Sequence, residues 1–290
     1  MSMSPAVYIA SDDDGDIDHY GPDLFRTDDA WRDYLYAVHY LKESVLLQNI
    51  HDGKPLQGIV AIAEELTNDP KKRAAEVEEL LWKQIHPQRY ERMDDILEES
   101  IDYTPRFLYS CGIDPLVHRN THRLIETMSL VAYLVVMPFK NYFKRPRPSQ
   151  VEVDIEPAIL IPAHYSFPSG HSTQAHLIKN VLIDLIGKRI VGLEERIKFE
   201  AEEVARNREW GGVHYASDTD AGKLLADAVW SEMKKLYSLS RPAAKENVDS
   251  KRPRRYAPGQ DGELSRLYWA AAAEWEEVTD RAPYEWSAPG

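Results

Sequence analysis

The sequence predicts an all-α protein. Two observations carry that reading. Apolar residues recur at helical spacing through most of the chain, and strong period-two runs are scarce. No internal repeat is present.

Residues 1–28 are acidic and rich in turn formers. SDDDGDID is similar to a calcium-binding loop, but Ile17 stands where the sixth loop position, counted from Asp12, requires glycine. This segment reads as a solvated acidic arm. From Trp31 to about Leu66, WRDYLYAVHYLKESVLLQNI is an amphipathic helix, and DGKPLQGIVAIAEELTN is a turn and a second helix. AEVEELLWKQI and MDDILEESI continue the pattern, with Pro87 between them. A long helix is expected from about Pro115 to Phe143. Pro138 inside it should kink or interrupt it. VEVDIEPAILIPAHYSF has strand or loop character. Three helices follow: His171 to about Ile186, Leu193 to about Arg208, and Asp218 to about Tyr237. Residues 29–239 thus form one helical domain. Residues 240–262, with a basic KRPRR patch, read as a linker. Residues 263–290 hold a short helix that packs on the domain or on a second subunit.

The composition narrows the function. The 290 residues carry 48 Asp and Glu against 35 Lys and Arg, a formal net charge of −13. That balance argues against nucleic acid, whose phosphates attract clustered cations. Cys111 is the one cysteine, so no internal disulfide and no zinc framework is expected. The longest apolar run, SLVAYLVVMPF, is about half of the ~20 residues that a membrane span needs. No basic segment followed by an apolar core opens the chain. The expectation is a soluble, cytoplasmic protein without membrane insertion.

Three stretches carry titratable residues at suggestive spacing. In KNYFKRPRP, six residues separate Lys140 from Arg147, and Pro148 follows. Pro168-Ser169-Gly170-His171 opens a helix. In NREWGGVHYASD, Arg208 is followed after five residues by His214 and after three more by Asp218. Each alone reads as surface charge, a turn and cap, or a polar loop. Together they are an inventory for a tetrahedral oxyanion. Arginine offers a planar fork for two oxygens and lysine a point charge. Free amides at a helix start point at an anion, and glycine lets the backbone come close. Two histidines can divide covalent catalysis between an attacking ring and a proton donor. Asp218, four residues after His214, can hold one ring nitrogen and leave the other as a lone pair.

The three motifs together resemble the type 2 phosphatidic acid phosphatase superfamily, which also includes bacterial acid phosphatases and vanadium-dependent haloperoxidases. Its pattern is Lys-x6-Arg-Pro, Pro-Ser-Gly-His and Ser-Arg-x5-His-x3-Asp, and it spans about residues 115–237 here. Asn207 replaces the patterned serine, a change expected to cost little. The resemblance implies a mostly helical bundle. It implies that Lys140, Arg147 and Arg208, with Ser169 and Gly170, bind the anion's oxygens. His214 would be the nucleophile forming a phosphohistidine, His171 the general acid and then base, and Asp218 the residue that orients His214. No metal or other cofactor is needed for phosphatase work. In a haloperoxidase, vanadate would occupy the same cradle and His214 would bond to vanadium.

Two neighbours bear on that choice. Fungal chloroperoxidases have a tryptophan three residues before the motif lysine and a phenylalanine five before the motif serine, where this chain has Met137 and His164. Met137 argues against chloride oxidation. His164 resembles the bromoperoxidases. The length favours a phosphatase, and the absence of several spans favours a soluble phosphomonoester over a bilayer lipid. The expected partner is that small molecule, with a homodimer possible. A non-catalytic phosphate-binding scaffold is the third reading, and the intact histidine pair speaks against it.

Overall fold

The computed structural model describes residues 37–187, 189–237, 239 and 263–275. The acidic arm, the KRPRR patch and the end of the chain lie outside the described residues. The described residues contain helices and loops and no strand.

A helical stretch over 37–43 leads into α1 (Val45–His51), which Ser44 caps by accepting the Leu47 amide. Next come α2 (Gln57–Asn68), α3 (Pro70–Ile85), α4 (Pro87–Glu91), α5 (Met93–Glu99) and α6 (Thr104–Cys111). Their boundaries follow familiar signals. Asp69 accepts the Lys71 and Lys72 amides before Pro70, Pro87 opens α4, and Gly112 ends α6 at φ 65°. The long helix is α7 (Arg119–Phe143), followed by the single turn α8 (Pro148–Val151). Of the segment read as strand or loop, 151–167, Val151 ends α8 and the rest is loop. Then come α9 (Gly170–Leu182), prolonged by a π-turn over Ile183–Gly187, α10 (Leu193–Trp210), α11 (Ala216–Leu236) and α12 (Glu263–Ala273).

Helix α9 is the hub, packed against α7, α10 and α11. Val135, Val136, Ala175, Ile178, Leu182, Val204, Leu225 and Val229 belong to the one large apolar cluster that joins these helices. Gly222 permits the closest approach. A Cβ there would stand 2.8 Å from the Ser169 carbonyl and from Ser172 Cβ, so only glycine lets α11 lie against the start of α9. That contact brings the PSGH turn beside the segment carrying His214.

Two expectations are revised. Pro138 does not interrupt α7, which runs unbroken through it. Packing of both halves into the same core outweighs the lost amide donor. Second, the apolar stretch is longer than the run of strictly apolar residues suggested. A window within Arg119–Val151 reaches a mean hydropathy of 1.2, so by length and composition it is long and apolar enough to cross a membrane. In the fold, 56% of that window is buried inside the protein, where α1, α9, α11 and α12 pack on α7.

The C-terminal helix packs on its own domain. Just after α12, the Glu274 carboxylate accepts the Asn120 and Thr121 amides at 2.7 and 2.9 Å, capping the first turn of α7. Trp275 stacks on His118 with centroids 4.2 Å apart. Cys111 is buried, and burial pushes its thiol up to about 12, so it serves as packing rather than as a nucleophile.

Candidate active site

Lys140, Arg147 and Arg208 are each 1% exposed, although they come from the end of α7, the start of α8 and the end of α10. Buried cations are costly unless paired. Arg208 meets one carboxylate, Glu99, at 3.0 Å. Among the described residues, Lys140 and Arg147 bond to no carboxylate. Lys140 Nζ donates to the carbonyls of Tyr165, Ser166 and Pro168 at 2.9, 2.8 and 2.5 Å. Its three protons therefore brace the segment before α9, and it acts on an anion through its field. Arg147 Nη1 donates to the Val213 carbonyl at 2.8 Å and Nε to the His164 carbonyl at 3.2 Å.

The tautomer of His214 follows from its partners. Arg147 Nη1 lies 2.9 Å from His214 Nε2, and a guanidinium can only donate. Nε2 therefore carries a lone pair, and Nδ1 carries the proton that it donates to Asp218 Oδ2 at 3.0 Å. Both residues are deeply buried, His214 at 3% and Asp218 at 0% exposure. Asp218 also accepts the Tyr215 amide at 3.1 Å, the Ser166 hydroxyl, and Arg145 Nη1 at 2.7 Å. Burial pushes Asp218 upward, but the Arg145 charge and the His214 bond outweigh it and hold the carboxyl well below the usual range. Burial first, and Arg147 next, keep His214 neutral well below the ordinary imidazole value.

The PSGH turn behaves as both a helix start and a donor site. Ser169 Oγ accepts the Ser172 amide at 3.3 Å and the Ser169 carbonyl accepts the Thr173 amide at 3.1 Å. Of the four leading amides of α9, these bonds leave Gly170 and His171 as donors. A Cβ on Gly170 would sit 3.9 Å from Lys140 Cε, which places that turn against the lysine stem. His171 Nε2 donates to the Glu99 carbonyl at 3.0 Å, and its ring meets Tyr103 edge-on at 5.5 Å. Burial first, and the Arg208 charge second, press His171 down to about 3, with Lys140 and Arg147 adding to the effect. His171 thus lies within the field of all three cations.

Arg208 supplies the clearest sign of a missing anion. Nη2 donates to the Ile96 carbonyl and to Glu99, whereas among the described residues the buried Nε and Nη1 have no partner. Arg208 therefore keeps N–H donors that an oxyanion can take.

The two flanking residues fall differently. His164 lies beside Arg147, whose Nη2 donates to His164 Nδ1 at 3.0 Å; burial and Lys140 lower it to about 4. Met137 is partly buried against the apolar core.

Four supporting residues are not specified by the motifs, although Arg145 falls at a variable position within the first of them. Arg145 bridges Asp218 and Glu76, each at 2.7 Å, and lies 3.8 Å over the Tyr215 ring. Glu76 also accepts the Ser217 amide at 2.9 Å, fixing the start of α11. Ser166 bonds to Asp218, and Glu99 holds Arg208. Arg145 stands two residues before Arg147 in KRPRP, so proximity to a motif was its one sequence signal. Glu76, Glu99 and Ser166 carried none.

One consequence is measurable without a substrate. His164, His171 and His214 stay neutral when folded but take up protons near pH 6.5 when unfolded. Their contribution to stability is complete above about pH 6.5 and is lost as pH falls toward their folded values, by up to about 1.4 kcal/mol per pH unit for each histidine. Urea unfolding at pH 7, 6 and 5 should show progressive destabilisation, reduced by inorganic phosphate. A flat profile would contradict the buried neutral state.

Residues 123–241 match the family model described as PAP2 superfamily. Among solved structures, the chain is similar to the first transmembrane PAP2 type phosphatidylglycerolphosphate phosphatase from Bacillus subtilis. The two share 19% identity, over 62% of this chain and 92% of that one, with a TM-score of 0.41. No curated protein matches the chain.

Proposed function

On the match of residues 123–241 to the PAP2 superfamily model and the site geometry above, we propose that the protein hydrolyses soluble phosphomonoesters through a phosphohistidine on His214. The observation that carries this reading is the fixed Nε2 lone pair of His214, held by Asp218 on one side of the ring and met by Arg147 on the other.

The ester's phosphoryl group sits against a free N–H of Arg208 and the amides of Gly170 and His171, in the field of Lys140 and Arg147. Arg147 Nη1 passes its hydrogen bond from His214 Nε2 to a phosphoryl oxygen, and the freed Nε2 lone pair attacks phosphorus in line with the leaving oxygen. The P–O bond breaks as the P–N bond forms. His171 in its imidazolium form, with Nε2–H on the Glu99 carbonyl, gives the Nδ1 proton to the departing alkoxide. Neutral His171 then takes a proton from water, which attacks the phosphohistidine and releases inorganic phosphate and His214. Asp218 stabilises the charge that His214 bears while phosphorylated. These steps use side chains and amides alone.

Two features favour a soluble ester in the cytoplasm over a bilayer lipid. The net charge of −13 is repelled by anionic membrane surfaces, and the apolar window of α7 is mostly turned inward. The haloperoxidase alternative uses the same donors, because vanadate presents oxygens in the same arrangement, with His214 Nε2 as its ligand. A paired assay on one preparation separates the readings. We expect phosphate release from an aryl phosphate without vanadate, and less from a phospholipid in vesicles. Bromination with vanadate and peroxide, without phosphatase turnover, would overturn the proposal.

A further inference from the structure

The end of α5 lies outside the region of family resemblance, yet it touches two of the proposed working residues. Glu99 is 2% exposed. Its carboxylate accepts Arg208 Nη2 at 3.0 Å, Asn207 Nδ2 at 3.0 and 3.1 Å, and Arg106 Nη1 at 2.6 Å. Its main-chain carbonyl accepts His171 Nε2 at 3.0 Å, and the Ile96 carbonyl one turn earlier accepts Arg208 Nη2. Exposed carbonyls at a helix C-terminus carry partial negative charge, so this end of α5 suits cationic partners.

The geometry of Arg208 gives this contact a consequence. Both Nη2 protons are consumed by α5, one by Ile96 and one by Glu99. The guanidinium is therefore turned so that Nε and Nη1 are the free groups. A guanidinium held through one nitrogen has its plane and its remaining donors fixed in direction. We propose that Glu99 is a positioning residue of the oxyanion site, fixing the plane of the Arg208 guanidinium so that a free N–H is held toward the bound phosphoryl group.

Asn207 gains a role on the same grounds. Its Nδ2 reaches both Glu99 oxygens while Oδ1 accepts Arg92 Nη1 at 2.9 Å. A serine hydroxyl in that place has one proton and a shorter reach. The carboxylate is held from three sides, by Arg106 of α6 and by Asn207 and Arg208 of α10. Arg106 is itself anchored by Asp95 at 3.0 Å and Glu200 at 2.9 Å.

The inference rests on the phosphatase reading for the identity of the anion, and its test needs no turnover. Binding of inorganic phosphate is measured by calorimetry in the wild type, Glu99→Gln, Arg208→Ala and the double variant. Outer partners of metal ligands typically command about 10–100-fold in affinity, and the same scale is expected for a partner that orients an anion-binding arginine. Glu99→Gln should weaken phosphate by that much alone, and by less than about 3-fold in the Arg208→Ala background, since the two act as a unit. Equal losses in both backgrounds would mean a merely structural role and would overturn the proposal, as would unchanged affinity. Should Glu99→Gln fail to fold, Glu99→Asp keeps the charge but, one methylene shorter, draws the carboxylate back from Arg208. It should show the same coupling, and undiminished phosphate affinity in that variant would overturn the proposal. A protein that binds phosphate in this Glu99-dependent way but hydrolyses no ester would defeat the phosphatase reading and leave the positioning role standing.

Discussion

Replacing His214 with alanine is expected to lower kcat on an aryl phosphate by about 10⁴-fold or more, the scale on which removal of a covalent nucleophile acts. The helical circular dichroism should be unchanged. The fold tolerates the loss because Asp218 keeps Arg145, Ser166 and the Tyr215 amide as partners. Phosphate should still bind, because the free N–H donors of Arg208 and the amides of α9 are untouched. Turnover near the wild-type rate would remove His214 from the reaction. Loss of both turnover and phosphate binding would reassign it to holding Arg147.

His171→Ala is the second large effect. Loss of a general acid costs roughly 10²–10⁴-fold. The cost should be greatest for phenyl phosphate, whose leaving group needs the proton, and should shrink for a nitrophenyl ester. A uniform loss across leaving groups would count against the role. Protonation adds a second readout. In the ligand-free site, burial and the charges of Arg208, Lys140 and Arg147 hold His171 near 3, so the ring is neutral at pH 7. A bound dianion offsets those charges and raises the value, so phosphate binding should take up a proton. Calorimetry in buffers of different ionisation enthalpy measures that uptake, which should fall in His171→Ala. Equal uptake in the variant would place the proton elsewhere.

Much of this site is visible in the sequence because its parts are local. The cap of Ser169, the four-residue step from His214 to Asp218 and the spacing of Lys140 from Arg147 are short-range patterns. Helix periodicity likewise gives α2, α3, α9, α10 and α11 close to their observed limits. The supporting groups are not visible in this way. Glu76 meets Arg145 across 69 positions and Glu99 meets Arg208 across 109, and each reads as one more charge on an amphipathic helix. Only the packing of α3 and α5 against α10 turns them inward. Asn207 shows the same limit. As an isolated polar residue it looked like a neutral exchange for serine, but in the fold it ties Glu99 to Arg92. The length of apolar helix was underestimated because buried Leu124, Ile125 and Met128 extend α7's apolar face beyond the run SLVAYLVVMPF, with Glu126 and Thr127 interrupting them in sequence.

Without these supports the motif cations would have no fixed direction. Arg145 keeps Asp218 ionised and in place, Asp218 sets the His214 tautomer, and Lys140 ties down the chain leading to Ser169. The N-terminal helices therefore contribute to the chemistry through two carboxylates, although no proposed reacting group lies on them.

The most direct measurement is capture of the covalent intermediate. Wild-type protein, mixed with an aryl phosphate and quenched within one turnover under alkaline conditions, is digested and its peptides are mapped by mass spectrometry. The phosphoryl group should be found on His214, and phosphorus NMR of the quenched protein should show it on Nε2. A protein that turns over the ester yet carries no phosphoryl group, or carries it on another residue, would contradict the account.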